Sequence, residues 1–180
     1  MAKSLGNFYT LSDVKAKGFS PMDLRFFYMT AHYRSSLNFT WESIQSSHNS
    51  LSKMYDLVAG YRESDDAEVD PVTMEKFTKA INTDLNMPKA IAIVWEVLKS
   101  SLDESVKVLT LLKMDEILGL KIEDHIGFQI PDKVQNLAKI RWEYKRQGIW
   151  DKADVMRREM SEMGYVVEDH GDTYKIKRKI

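Results

Sequence analysis

Each of the four prolines in this chain, Pro21, Pro71, Pro88 and Pro131, stands at the head of a run with helical spacing. Proline lacks an N–H and is tolerated in the first turn of a helix, where that donor has no partner, but it breaks a helix interior. A short polar residue precedes three of them, as Ser20-Pro21, Asp70-Pro71 and Asn86-Met87-Pro88. Such side chains cap the free N–H groups of a first turn. Thr10, spaced three residues before Asp13, and Thr40 supply two more starts without proline. A chain punctuated in this way is mainly α.

The runs behind these signals carry apolar residues at helical intervals. Leu24 to His32 is apolar almost all round and reads as a buried helix. From Thr40 to about Arg62 the inner positions are Ile44, Leu51, Met54, Tyr55 and Val58. Asp70 opens a helix through about Ile81, and Asn86 opens one with Ala90, Ile91, Val94, Trp95 and Leu98 inward. Ser105 to Leu118 is one more, with Val106, Leu109, Leu112 and Leu118 apolar, and it ends at Gly119. Trp41 and Trp95 are assigned to the core. The sum is an antiparallel helical bundle. Glu63 to Asp70 is an acidic, exposed loop, and Lys121 to Ile130 reads as a mobile linker with little apolar patterning to pin it. Beyond it come a helix from Pro131 to about Gln147, a break at Gly148, and a helix from Trp150 to Met163. Tyr165-Val166-Val167 and Thr173 to Ile176 then flank His170-Gly171-Asp172 as a β-hairpin. The divisions expected are residues 1–18, a bundle over 19–120, and a small α+β unit of two helices and a hairpin over 121–180.

Composition narrows the chemistry. The chain has no cysteine, which removes disulfides, zinc ribbons and thiol nucleophiles, and its four scattered histidines do not rebuild a metal site. No metal ligand is assigned. No stretch has the length and apolarity of a membrane span and no signal-peptide pattern opens the chain, so a cytoplasmic protein with no membrane partner is expected. The net charge of −1 argues against binding nucleic acid by bulk electrostatics, but basic residues are concentrated after Lys133. There Arg141, Lys145, Arg146, Lys152, Arg157 and Arg158 alternate with Trp142, Tyr144 and Trp150. Unpaired bases need a π-face to stack on and fixed partners at their edges, and this segment offers both.

Four stretches, in order, resemble cysteinyl-tRNA synthetases. Met1-Ala2-Lys3-Ser4-Leu5-Gly6-Asn7-Phe8 resembles the KMSKS loop of class I synthetases, with Ala2 where Ser is usual. Phe19-Ser20-Pro21 through Leu24-Arg25, with Ala31-His32-Tyr33-Arg34-Ser35-Ser36-Leu37-Asn38-Phe39, resembles the DALR-type entry to an anticodon-binding bundle. Asp84-Leu85-Asn86-Met87-Pro88-Lys89-Ala90 resembles a stretch usually read Asp-Phe-Asn-Thr-Pro-x-Ala. Trp150, Ala153-Asp154, Arg157, Gly164 and Glu168-Asp169 resemble the C-terminal small domain.

The resemblance implies a parent enzyme that activates cysteine with ATP and transfers it to tRNA(Cys), of which this is the tRNA-binding C-terminal part, monomeric and inactive alone. It implies that Lys3 is catalytic and ATP-binding, together with Met1, Ala2 and Ser4 of the loop, by stabilising charge that builds on the phosphates. It implies tRNA contacts at Arg141, Lys145, Arg146, Trp150, Asp154 and Asp169. Zinc is expected only in the catalytic part that would precede this chain. Arg25, His32, Tyr33 and Arg34 are read as bracing the loop, with a tRNA-stem contact or pairing within the bundle left open. Two other readings remain: a related cysteine ligase acting on an amino-sugar acceptor, and a free-standing helical RNA-binding adaptor.

Overall fold

The computed structural model describes residues 9–62 and 67–178. The chain divides into two compact units, Met1–Phe128 and Gln129–Ile180.

In the first unit the described residues form α1 (Leu11–Ala16), α2 (Pro21–Met29), α3 (Trp41–Val58), α4 (Pro71–Asn82), α5 (Met87–Lys99) and α6 (Glu104–Leu118), followed by a 3-10 turn at Glu123–His125. The polar residues before each run do cap it. The Thr10, Ser20 and Thr40 side chains accept from the backbone three residues on and are reciprocated in capping boxes. Asp70 and Asn86 cap α4 and α5. In succession α2 packs on α3, α4 on α5 and α5 on α6. The core gathers Phe26, Phe27, Ile44, Leu51, Met54, Phe77, Val94, Leu111 and Met114.

Several details depart from expectation. Helix α2 stops at Met29 rather than His32, and it is not buried all round, since Tyr28 is 53% exposed. On α6 the buried positions are Val108, Thr110, Leu111, Met114 and Leu118, while Val106, Leu109 and Leu112 are only half-buried. That helix carries apolar residues on every side, so periodicity alone does not single out its inner face. The buried Thr110 hydroxyl is used: it accepts from the Asp70 N–H at 2.9 Å, at the start of α4. Trp41 and Trp95 lie at the core's edge, both half-buried. Trp41 joins Tyr9, Phe19 and Phe39 in an aromatic cluster, with Tyr9 edge-on at 4.8 Å.

The first half of the expected linker is pinned into the bundle. Gly119 takes φ 60° and ends α6, and Lys121 follows at φ 57°. The Asp115 carboxylate then accepts from the Leu120 N–H at 2.7 Å and the Ile122 N–H at 2.9 Å, and both residues are fully buried. The Tyr55 hydroxyl donates to the Leu120 carbonyl, and the Tyr55 ring lies flat on His125 at 3.6 Å. Two apolar residues in a short stretch are too few to show a period, so the sequence hides this anchoring.

The second unit holds α7 (Asp132–Arg146), α8 (Trp150–Glu162), β1 (Tyr165–His170) and β2 (Thr173–Arg178). The strands pair antiparallel, with Tyr165 opposite Arg178 and His170 opposite Thr173. Helices α7 and α8 pack together, β1 against α8 and β2 against α7, around Val134, Leu137, Ala138, Ala153, Met160, Tyr165 and Val167.

Asp115→Asn keeps the shape of the side chain but removes its charge and one of its acceptors. Its expected cost is about 2 kcal/mol, since two charge-assisted bonds are weakened. Hydrogen exchange checks this: the Leu120 and Ile122 amides lose protection while those in the middle of α3 keep theirs.

Candidate functional site

The second unit brings the basic and aromatic residues together on α7, the start of α8 and the hairpin. Arg141, Lys145 and Trp142 lie within one turn of each other on α7 and so share a side of that helix. Arg141 is 7% exposed. A guanidinium so placed must be paired, and it is: Nη1 donates to Asp169 Oδ1 at 2.8 Å and Nη2 to Asp169 Oδ2 at 2.9 Å. The Lys145 ammonium donates to the same Oδ2 at 2.7 Å. Arg141, and with it Lys145, holds the Asp169 carboxyl far below the usual carboxylate range, against the opposing effect of partial burial. Reciprocally, Asp169 raises the Arg141 pKa, with a smaller contribution from the charge of Asp154.

Three residues expected at an RNA surface are therefore engaged with one another. The Arg141–Asp169 pairing joins positions 28 residues apart, which no local pattern announces.

Beside this network lies an open concavity of about 330 Å³, lined by Trp142, Lys145, Arg146, Trp150, Gly171 and Asp172. Trp150, at the first position of α8, is 59% exposed and makes no ring contact among the described residues. The Trp142 ring tilts against Tyr174 at 5.5 Å, and the Lys145 ammonium sits 5.3 Å from its centre. Arg146 is exposed, with no ion pair among the described residues. Asp154, one turn after Trp150, instead lines a separate groove of about 780 Å³ with Arg157, Arg158 and the start of β1. Of the six residues expected to touch RNA, Lys145, Arg146 and Trp150 thus share the concavity, Asp154 lies in the separate groove, and Arg141 and Asp169 are joined to Lys145 by hydrogen bonding. Asp172 was not singled out; the only signal for it is its place in the hairpin turn.

Lys3, with Met1, Ala2 and Ser4, lies outside the described residues. Among those described, no cluster of His, Asp or Glu is arranged to hold a metal. No described helix is long and apolar enough to cross a membrane. Arg25 is exposed and donates through Nε to the Leu118 carbonyl at 2.7 Å, meeting the end of α6 rather than a carboxylate. The Tyr33 hydroxyl donates to Asp84 Oδ1 at 2.6 Å, the Arg34 guanidinium lies 3.2 Å from the same oxygen, and His32 Nε2 is 2.9 Å from the Asp84 carbonyl. The described partners of all four lie within the bundle, around a turn in which Asp84 and Leu85 both have positive φ.

Replacing Asp169 with Asn is expected to lower the stability of this unit by about 2 kcal/mol at neutral pH. Because the folded pKa is depressed, the pair's contribution is present above the ordinary value of 3.8 and fades as pH falls below it. Denaturation midpoints taken across pH 2–7 should drop at the acid end in the wild type and vary less in the variant.

Residues 1–49 match the family model described as the tRNA synthetases class I (C) catalytic domain. Cysteine–tRNA ligase 1 of Burkholderia lata is 33% identical over 171 residues, covering 94% of this chain and 36% of that protein. The cysteine–tRNA ligase of Borrelia hermsii is 31% identical over 99% of this chain and 42% of its own length. That of Histophilus somni strain 2336 is 32% identical over 94% of this chain and 40% of its own. The chain thus spans well under half the length of these relatives. By this shared sequence, running through nearly all of its 180 residues, the chain is homologous to a portion of the cysteinyl-tRNA synthetases of class I.

Proposed function

We propose that this chain is the tRNA-binding portion of a cysteine–tRNA ligase, and that its second unit receives unpaired anticodon bases of tRNA(Cys). The observation that carries the reading is Trp150. A tryptophan 59% exposed, beside an exposed Arg146 and above a concavity walled by Trp142 and Lys145, is poorly explained by folding alone. It suits a base that stacks on the indole while the cations hold its phosphate. Arg157 and Arg158 place two further cations on α8, on the groove that also contains Asp151 and Asp154. Arg141 and Asp169 act from behind, fixing the hairpin that forms one wall.

In the longer enzyme, ATP and cysteine are the substrates, and Lys3 belongs to the loop that closes on the phosphates. A lysine there stabilises charge that grows as the cysteine carboxylate attacks the α-phosphorus, an interaction strongest in the transition state. Support for this comes from the resemblance of residues 1–8 to that loop and from the match of residues 1–49 to a catalytic-domain model. The activity resides in the longer polypeptide, and this chain alone neither activates nor transfers cysteine.

Trp150→Ala is expected to weaken binding of a tRNA(Cys) anticodon stem-loop roughly tenfold or more, the worth of one stacked base. Thermal stability should stay nearly unchanged, because the ring covers little core. Fluorescence titration measures the first quantity and a melt the second; equal affinity for both proteins would remove Trp150 from the interface. In the longer ligase, Lys3→Ala should slow cysteine-dependent pyrophosphate exchange on the order of a hundredfold or more. Stem-loop binding by the same variant should be unaffected.

A further inference from the structure

We propose that the acid-rimmed groove between α6 and the start of α4 is a protein-docking site, and that its occupant is a basic amphipathic helix of a partner protein. The groove belongs to the first unit, and the proposal stands apart from the reading of the second unit as an RNA-binding surface.

Helix α6 carries more apolar surface than the bundle uses. Val108, Leu111, Met114 and Leu118 recur at three- and four-residue steps and are fully buried. Leu109 and Leu112 form a second row beside them, and both are only half-buried. Residues three and four apart share a face of a helix, so this row continues into Glu116. A helix that is apolar on every side is normally covered on every side. Here the Leu109–Leu112 row opens instead on a groove of about 830 Å³, whose far wall is Ala67, Val69 and Pro71. Val69 is exposed, so both walls offer apolar surface.

Both walls are also fixed from beneath. The Asp70 N–H donates to the buried Thr110 hydroxyl at 2.9 Å, which ties the Val69–Pro71 segment to the middle of α6. At the other end Asp115 accepts from the Leu120 and Ile122 N–H groups, and so holds the turn that leads into Glu123. A site already in its binding shape spares a partner the cost of ordering it.

Charge then selects the occupant. Four carboxylates line the groove, those of Glu68, Asp115, Glu116 and Glu123, against the one ammonium of Lys113. Lys113 pairs with Glu116 at 3.0 Å, and Asp115 is engaged by the two amides. Glu68 and Glu123 are exposed and make no hydrogen bond or ion pair among the described residues. Apolar walls between acidic edges complement an apolar stripe flanked by Lys or Arg, and they repel phosphate-bearing ligands. From Leu109 to Glu116 the groove follows α6 for about two turns, or roughly 10 Å. That length matches anchors at i, i+3 or i+4, and i+7 on a docked helix.

Panning a displayed library of random peptides, each long enough for about four helical turns, on the full 180-residue chain tests this. Enriched peptides should carry apolar residues at those intervals with an excess of Lys and Arg, and should gain helicity on binding. Labelled copies should bind Leu112→Glu roughly tenfold more weakly or worse, the loss of one central anchor. The double variant Glu68→Gln, Glu123→Gln alters only exposed, unpaired groups and so keeps the fold. It should bind roughly threefold to tenfold more weakly and with less dependence on salt. The proposal is overturned if no peptide is enriched, if the enriched peptides lack the basic excess, or if both variants bind them as the wild type does. If the chain self-associates and Leu112→Glu abolishes it, the occupant is a second copy and the partner assignment falls. It falls equally if the longer ligase binds none of the peptides that this chain binds, since the preceding part of the ligase then covers the groove.

Discussion

The bidentate pair between Arg141 and Asp169 decides the geometry of the second unit. A unit of two helices and a hairpin buries few side chains, and small cores leave a domain marginal. Its buried apolar residues run along the α7–α8 seam and reach only the first half of β1, at Tyr165 and Val167. From Glu168 onward β1 is exposed apart from the partly covered Asp169. Apolar contact in the distal half of the hairpin comes from Tyr174 on β2, whose ring meets Trp142. The planar guanidinium holds β1 there, because two parallel N–H···O bonds fix both the distance and the plane of the carboxylate they grip. Lys145 adds a third bond and lies over Trp142, so the same charge that secures the hairpin also steadies the aromatic wall.

This arrangement separates residues that hold from residues that are available. A charged group buried against its partner has little capacity left for a ligand, and removing the partner leaves an uncompensated charge. Arg141 belongs to the first kind, while Asp169, its partner, is only partly covered. Trp150, Arg146 and Asp172 belong to the second, being exposed and without ion pairs among the described residues. Lys145 stands between the two, bonded to Asp169 and still on the wall of the concavity. A family resemblance read along the sequence cannot make this distinction, since it marks positions without saying which atoms are already engaged.

Much of the fold was legible because its signals are local. A polar cap with proline in the first turn, or a capping box, identified the starts of α1 to α5 within a residue, and the hairpin followed from alternation around Gly171. What escaped depends on contacts between distant segments. The inner face of α6 is chosen by α4 and α5, not by its own pattern. Lys121 looked like the start of a linker, but Asp115 reaches forward to the two amides that flank it and draws Leu120 and Ile122 into the core. The site divides in the same way. The stretch from Arg141 to Trp150 was visible as a basic and aromatic run, while the occupation of Asp169 and the position of Asp172 required the fold.

The turn at Asp84 extends the reasoning to the first unit. Two consecutive residues with side chains, Asp84 and Leu85, sit at φ 55° and 50°, a conformation that costs on the order of 1–2 kcal/mol for each. A bare loop would relax. Here the carbonyl of Asp84 meets His32 Nε2, and its carboxylate takes the Tyr33 hydroxyl and the Arg34 guanidinium. The Arg34 Nε in turn donates to that hydroxyl at 2.8 Å. Polar side chains from the α2–α3 loop thus hold the α4–α5 turn, much as Arg141 holds the hairpin. In both units charge-assisted bonds help to secure turns at the surface of the apolar core. A surface built in this manner can present exposed groups in fixed positions, the condition that selective recognition of a flexible single strand requires.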